Sequence, residues 1–177
     1  MRPLGSILLS LLVEGCARIL GGSHMLLNAM EQEVEVAERS ANILSLLFIY
    51  GGQLARELST AITTGHLSLG KAVGMSSQSL LPYLLSTAGR AARIPVGGHT
   101  ILVAILRLLS GIVSGCDVAA RQMLDDPSNF FVVDLATTMS ESAGTPLVVQ
   151  VAACFFLGTC FTALKDPLKD SAPSDSN

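Results

Sequence analysis

The sequence predicts an all-α fold of stacked helical repeats, and three observations carry that prediction. In the last third of the chain two short helix-like segments are followed by a long apolar one, the order in which a helical repeat is laid out. Half of the residues are apolar and 14% are charged, so core-forming surface is plentiful for a chain of 177 residues. Aromatic residues make up 5% and Trp is absent, while Leu, Ala and Ser abound. That composition suits close helix-on-helix packing better than strands built from β-branched and aromatic side chains.

The clearest unit begins at Cys116. Residues 116–124 read as a first short helix, 129–135 as a second, and Pro146 opens a third that runs to about residue 164. This is the order of an armadillo repeat, so the expected architecture is an armadillo-like α-solenoid of three to four partial repeats. The same order recurs upstream. Residues 53–58 parallel 119–123, since each stretch follows a Gly-bearing break and carries an Ala-Arg step, Ala55-Arg56 and Ala120-Arg121. Residues 79–85 parallel 129–135, with Pro82 in the first turn where it costs little.

The long third helices are then expected over residues 33–50, 97–114 and 145–164, side by side along one face. In the first of them Glu33, Glu35, Glu38 and Arg39 crowd the start, and Ile43, Leu44, Leu46, Leu47, Phe48 and Ile49 fill the end. The carboxylates oppose the positive end of the helix dipole, and Gly51-Gly52 stops the helix. Residues 4–20 form the second helix of a preceding repeat, stopped in the same way at Gly21-Gly22. The Gly-rich stretch 63–74 is read as a surface loop that absorbs the excess spacing between Arg56 and Arg121. Residues 1–164 thus form the solenoid, and the polar stretch 165–177 a disordered tail or linker.

Two apolar segments resemble membrane signals. The start of the chain, through Val13, has the basic opening and apolar run of a secretory signal, but Glu14 and Arg18 continue a helical pattern with Ile19 and Leu20. Residues 147–164 are uncharged and nearly long enough to span a bilayer, yet Gln150 and Thr159 interrupt them. A helix buried among other helices is the expected reading.

Chemistry has little to work with. His24, His66 and His99 are scattered, with no carboxylate at helical spacing to complete a metal site. Residues 97–100 begin like a phosphate-binding turn, but no Gly-Lys-Ser/Thr follows and no strand precedes. Ser114 lies between Gly111 and Gly115 at the wrong spacing for a nucleophile elbow. No catalytic residue, cofactor or metal is expected, and the chain is not expected to be an enzyme. A formal charge of −3 without a run of Lys or Arg gives no footprint for nucleic acid. Cys16, Cys116, Cys154 and Cys160 lie in apolar helical patterns without a Cys-x-x-Cys pair, so buried free thiols in a reducing compartment are expected.

What remains is a binding surface. Third helices line the concave face of such a solenoid, and Arg107 and Gln150 are polar residues stranded in their apolar runs, which makes them the candidate protein-binding residues. A buried unpaired Arg is expensive, so Arg107 must reach water or a carboxylate. Gly158, with Phe156 and Leu157 before it, is expected at a close helix contact.

From Leu108-Leu109-Ser110 onward the chain resembles the C-terminal part of the armadillo-repeat head of the vesicle-tethering golgins, the general vesicular transport factor family. The matching residues, in order, are Leu108-Leu109-Ser110, Asp117-Val118-Ala119, Pro127-Ser128-Asn129, Phe131-Val132, Val149-Gln150 and the closing Phe156-Leu157-Gly158-Thr159-Cys160-Phe161. A weaker match extends upstream over residues 41–93. The chain departs from the pattern at Ile112, where an aromatic is expected, at Val151 in place of Gly, and at Thr162 in place of Asn.

The resemblance implies vesicle tethering in endoplasmic reticulum-to-Golgi transport by a cytoplasmic protein held peripherally on the Golgi membrane through its partners. A Rab-type GTPase and membrane-fusion proteins are the implied partners, and a homodimer would form through regions absent from this chain. Two alternatives stay open. One is a generic armadillo adaptor protein, the other a small multi-span membrane protein using residues 4–20, 101–113 and 147–164.

Overall fold

Seven helices account for nearly all of the residues that the computed structural model describes, namely 4–21, 27–52, 55, 80–94, 97–114, 116–125, 130–137 and 146–164. They are α1 (Leu4–Gly21), α2 (Leu27–Tyr50), α3 (Leu80–Ala91), α4 (Gly98–Val113), α5 (Asp117–Asp125), α6 (Phe130–Thr137) and α7 (Leu147–Leu164). Among the described residues there is no strand, so the fold is all-α. Residues 53–54, 56–58, 63–74 and 165–177, which carry the expected first helix, loop and tail, lie outside the described residues.

Helix spacing decides which face each element buries. In α2 the buried residues are Ala37, Ser40, Ala41, Leu44, Ser45 and Phe48, one stripe at the three-to-four residue period. α1 buries Leu8, Leu12, Cys16 and Ile19 against it, and its Gly15 lets the two backbones close in, since a Cβ there would lie 3.3 Å from Ala37 Cβ. On the rim of this pair Arg18 donates to Glu33 at 2.6 Å and to Glu14 at 3.3 Å. Such exposed ion pairs are worth about 0–1 kcal/mol each, so packing rather than charge holds α1 to α2.

α4 is the centre of the molecule. Of its 16 residues 13 are buried, because α2 packs along one side, α7 along another and α3 beneath. Each fully buried Leu or Ile here, such as Leu102, Ile105, Leu109 and Ile112, contributes about 1.5–3 kcal/mol relative to exposure. The helix starts at Gly97, whose φ of 72° is left-handed and whose α-carbon faces Val34 of α2 so closely that a Cβ would come within 2.8 Å of Val34 Cγ2. Only Gly combines that backbone with that approach.

The three long helices α2, α4 and α7 therefore lie side by side, with α4 in the middle. Behind them α1 packs on α2, α3 on α4, and α5 and α6 on α7, while α3 touches α1 and α5 more sparsely. The expected adjacency of the long helices is present, and their observed bounds fall within a few residues of the expected ones, except that α2 begins six residues early, at Leu27. Gly51-Gly52 ends α2 as expected: the Gly51 amide donates to Leu47 at 2.8 Å and Gly52 is left-handed, with φ of 53°.

Two expectations need correction. Gly158 is exposed and a Cβ there would meet nothing within 4 Å, so it marks no helix contact. The close approach lies instead between α2 and α4 at Gly111, where a Cβ would sit 3.1 Å from Phe48 Cβ and 3.5 Å from the Ser45 carbonyl oxygen. Also, α7 is not enclosed by other helices. It buries Val149, Ala152, Ala153, Phe156 and Cys160 on one face, but Leu147, Val148, Val151, Phe155 and Phe161 are each more than half exposed. It stands at the edge of the long-helix layer, and no described helix covers its far side.

These two glycines should respond in opposite directions. Gly111→Leu forces α2 off α4 and is expected to cost roughly 1–3 kcal/mol, the usual size of overpacking. Gly158→Ala fills open space on a helix and is expected to stabilise by up to about 1 kcal/mol through propensity. Thermal melts report both, at roughly 2–4 °C per kcal/mol for a chain of this size. Equal responses would place the tight α2–α4 seam elsewhere.

Candidate binding groove on the long-helix layer

One stripe of α4 and its C-cap faces the gap between α2 and α7: Thr100, Arg107 and Ser114 are exposed along it, and the buried Val103, Ala104, Ser110 and Gly111 line the clefts between them. From Thr100 to Ser114 the stripe runs roughly 21 Å at the α-helical rise. Two clefts lie on it and share Arg107 as a common wall.

The larger cleft, about 340 Å³, lies towards the C-terminal end of α4. Its floor is Ser110, Gly111 and Ser114, one wall is Asn42, Ser45, Leu46 and Ile49 of α2, and the other is Phe155 and Thr159 of α7. Small floor residues flanked by Leu46, Ile49 and Phe155, all more than half exposed, make the surface concave and apolar. The hydroxyls do not change that character. Ser45 donates to the Ala41 carbonyl, Ser110 to Leu106 and Thr159 to Phe155, each at 2.8 Å, so all three protons are bound within their own helices.

The smaller cleft, about 240 Å³, is lined by Glu38, His99, Thr100, Val103, Ala104, Arg107, Pro146 and Val148. It holds the half-buried Glu38 and His99, whereas the larger cleft has Arg107 as its one charged lining residue. The Arg107 side chain is exposed, as its solvation requires, and it makes no ion pair among the described residues.

Of the two candidate residues, the structure places Arg107 at the middle of the groove. Gln150 is half-buried on α7, lines neither cleft, and stands about half a turn around that helix from Phe155, on the flank turned away from the groove. The apolar walls Leu46, Ile49 and Phe155 were not singled out by sequence. The signal that finds the groove is the seven-residue spacing of Thr100, Arg107 and Ser114, a polar line along an otherwise apolar helix.

The groove offers apolar contact, the Arg107 cation at its middle and the Glu38 carboxylate in its smaller cleft, which suits noncovalent binding. Among the described residues no three His, Cys, Asp or Glu side chains gather as a metal site, and His99 is the one described histidine. Cys16 and Cys160 are fully buried, and burial pushes each thiol up to about 12. Cys154 departs from the expected burial: it is exposed on α7, and Cys116 is partly so. No family model, curated protein or solved structure matches the chain.

Thiol labelling checks this arrangement directly. Because thiolate is the reactive form, Cys16 and Cys160 should stay unlabelled by iodoacetamide below about pH 11 in the folded protein, while Cys154 reacts readily at pH 8. Denaturant should release the buried pair. Labelling of Cys16 at the rate of Cys154 without denaturant would contradict the α1–α2 packing described above.

Proposed function

We propose that the chain is a noncovalent protein-binding scaffold, an armadillo-like α-solenoid that acts in vesicle tethering between the endoplasmic reticulum and the Golgi. One observation carries the scaffold reading: three long helices lie side by side and present an open, largely apolar groove with a single exposed cation at its middle. Short helices behind long ones are the layout by which a helical repeat stacks its core and leaves one face for partners.

Vesicle tethering is the more specific part, and it is supported by the ordered motifs from Leu108 to Phe161 that resemble the golgin head. On this reading the protein is cytoplasmic and peripheral on the Golgi membrane, with a Rab-type GTPase and membrane-fusion proteins as partners. Its mechanism needs no bond making. A rigid groove captures a partner segment, and reach comes from a coiled coil outside this chain.

A second reading draws on α7, the one described helix long and apolar enough to cross a membrane, with a mean hydropathy of 2.1 and 28% of its residues buried. Its one buried face and its contacts with α4, α5 and α6 favour a packed edge helix over a bilayer span. Release from membranes by carbonate separates the two: a scaffold washes off, and a spanning helix stays.

The direct test is capture of purified Rab proteins, loaded with GTP or GDP, by the immobilised chain. GTP-dependent capture of a Rab is expected, weakened by Arg107→Glu with the helical circular-dichroism spectrum unchanged, and Gln150→Ala probes the opposite flank of α7. Absence of capture for every Rab and fusion protein tried would remove the tethering assignment. Capture that survives both substitutions would move the binding surface away from these residues.

A further inference from the structure

We propose that the groove is the seat of an amphipathic α-helix from a partner protein, one that inserts a large apolar side chain between α2 and α7 and sets a carboxylate on Arg107. The inference rests on the scaffold reading and adds the chemistry of the partner.

Charge complementarity identifies the acid. Arg107 stands alone as the charged lining residue of the larger cleft, without an ion-pair partner among the described residues. A guanidinium at the middle of an apolar groove is well placed to take a carboxylate in bidentate fashion as the partner displaces water from around it. A basic segment would be repelled at the same point.

Helical geometry sets the spacing. Gly111 of the cleft floor lies one turn along α4 from Arg107, which is about 6 Å of rise. A helix laid along α4 therefore places its apolar anchor and its acid three or four residues apart, on one face. The walls that grip the anchor are Leu46 and Phe155, both open to solvent.

The backbone argument favours a helix over an extended segment. An extended chain brings unpaired amides and carbonyls that need partners along the whole groove. The larger cleft answers with few groups, since the Ser45, Ser110 and Thr159 hydroxyl protons are already bound and what is left is the Asn42 amide, the Ser114 hydroxyl and the Arg107 guanidinium. A helix arrives with its backbone satisfied, and two neighbouring helices provide the ridges for it to nest between.

The test is selection followed by charge exchange. A phage-displayed library of single helices about 15 residues long, randomised along one face, is panned against the full chain. Enriched helices are expected to carry Asp or Glu three or four positions from Leu, Phe or Met. A selected helix, made as a labelled peptide, should bind Arg107→Glu at least about tenfold more weakly. Replacing its acid by Lys should restore binding to that variant. Ser114→Trp, at an exposed position on the cleft floor, should block the anchor and weaken binding while Arg107 remains.

Enrichment without an acid, binding indifferent to Arg107→Glu, or no enriched helix at all would overturn the proposal. So would Arg107-dependent binding to phosphatidylcholine vesicles containing phosphatidylserine with no helix selected, which would give the groove to a lipid surface. Rab capture that persists while the selection fails would leave the scaffold reading standing without this groove. A selected helix with no Rab captured would do the reverse.

Discussion

The close passage of α2 over α4 at Gly111 is the constraint on which the rest of the structure depends. Phe48 of α2 comes near enough that a single added carbon on Gly111 would crowd it, and the same carbon would touch the Ser45 carbonyl, so the helices pass closely along this seam. That approach fixes the depth at which α4 sits between α2 and α7 and lets 13 of its residues become core. The same smallness makes the groove. Where Ser110, Gly111 and Ser114 form the floor and Leu46, Ile49 and Phe155 rise beside it, the surface must be hollow.

The character of the hollow follows from the groups that line it. The Ser45, Ser110 and Thr159 hydroxyls spend their protons on their own helices, and the charged group that lines the larger cleft is the Arg107 guanidinium. Recognition by such a surface comes from shape and a desolvated anchor, with the charge setting orientation and partner choice.

Much of this arrangement was legible in the sequence, and the failures have physical causes. The helix ends at Gly21 and at Gly51-Gly52 and the long helices after short ones could be read because capping chemistry and apolar period are local properties. Arg107 could be read as well, because a long cation in an apolar run has to find water. Gly158 and Gly111 could not be told apart. Each is a helical Gly among large apolar residues, and only the neighbouring helix decides which one is crowded. The faces of α7 were illegible for a related reason, since a helix apolar on every side has no period to say which side meets α4.

That ambiguity on α7 bears on how the groove works. Phe155 belongs to two surfaces at once, the wall of the larger cleft and the exposed ridge that continues through Val151 and Leu147. Solvent-exposed apolar side chains at this density are unusual on a surface with no partner. In stacked helical architectures an edge helix keeps such a ridge for whatever packs next to it. Anything that covers the ridge also touches Phe155, and so reaches the side chain that grips an apolar anchor in the cleft. The groove and the ridge are therefore one continuous surface hinged on a single aromatic residue, and the shape of the cleft is set as much by what lies against α7 as by α4 beneath it.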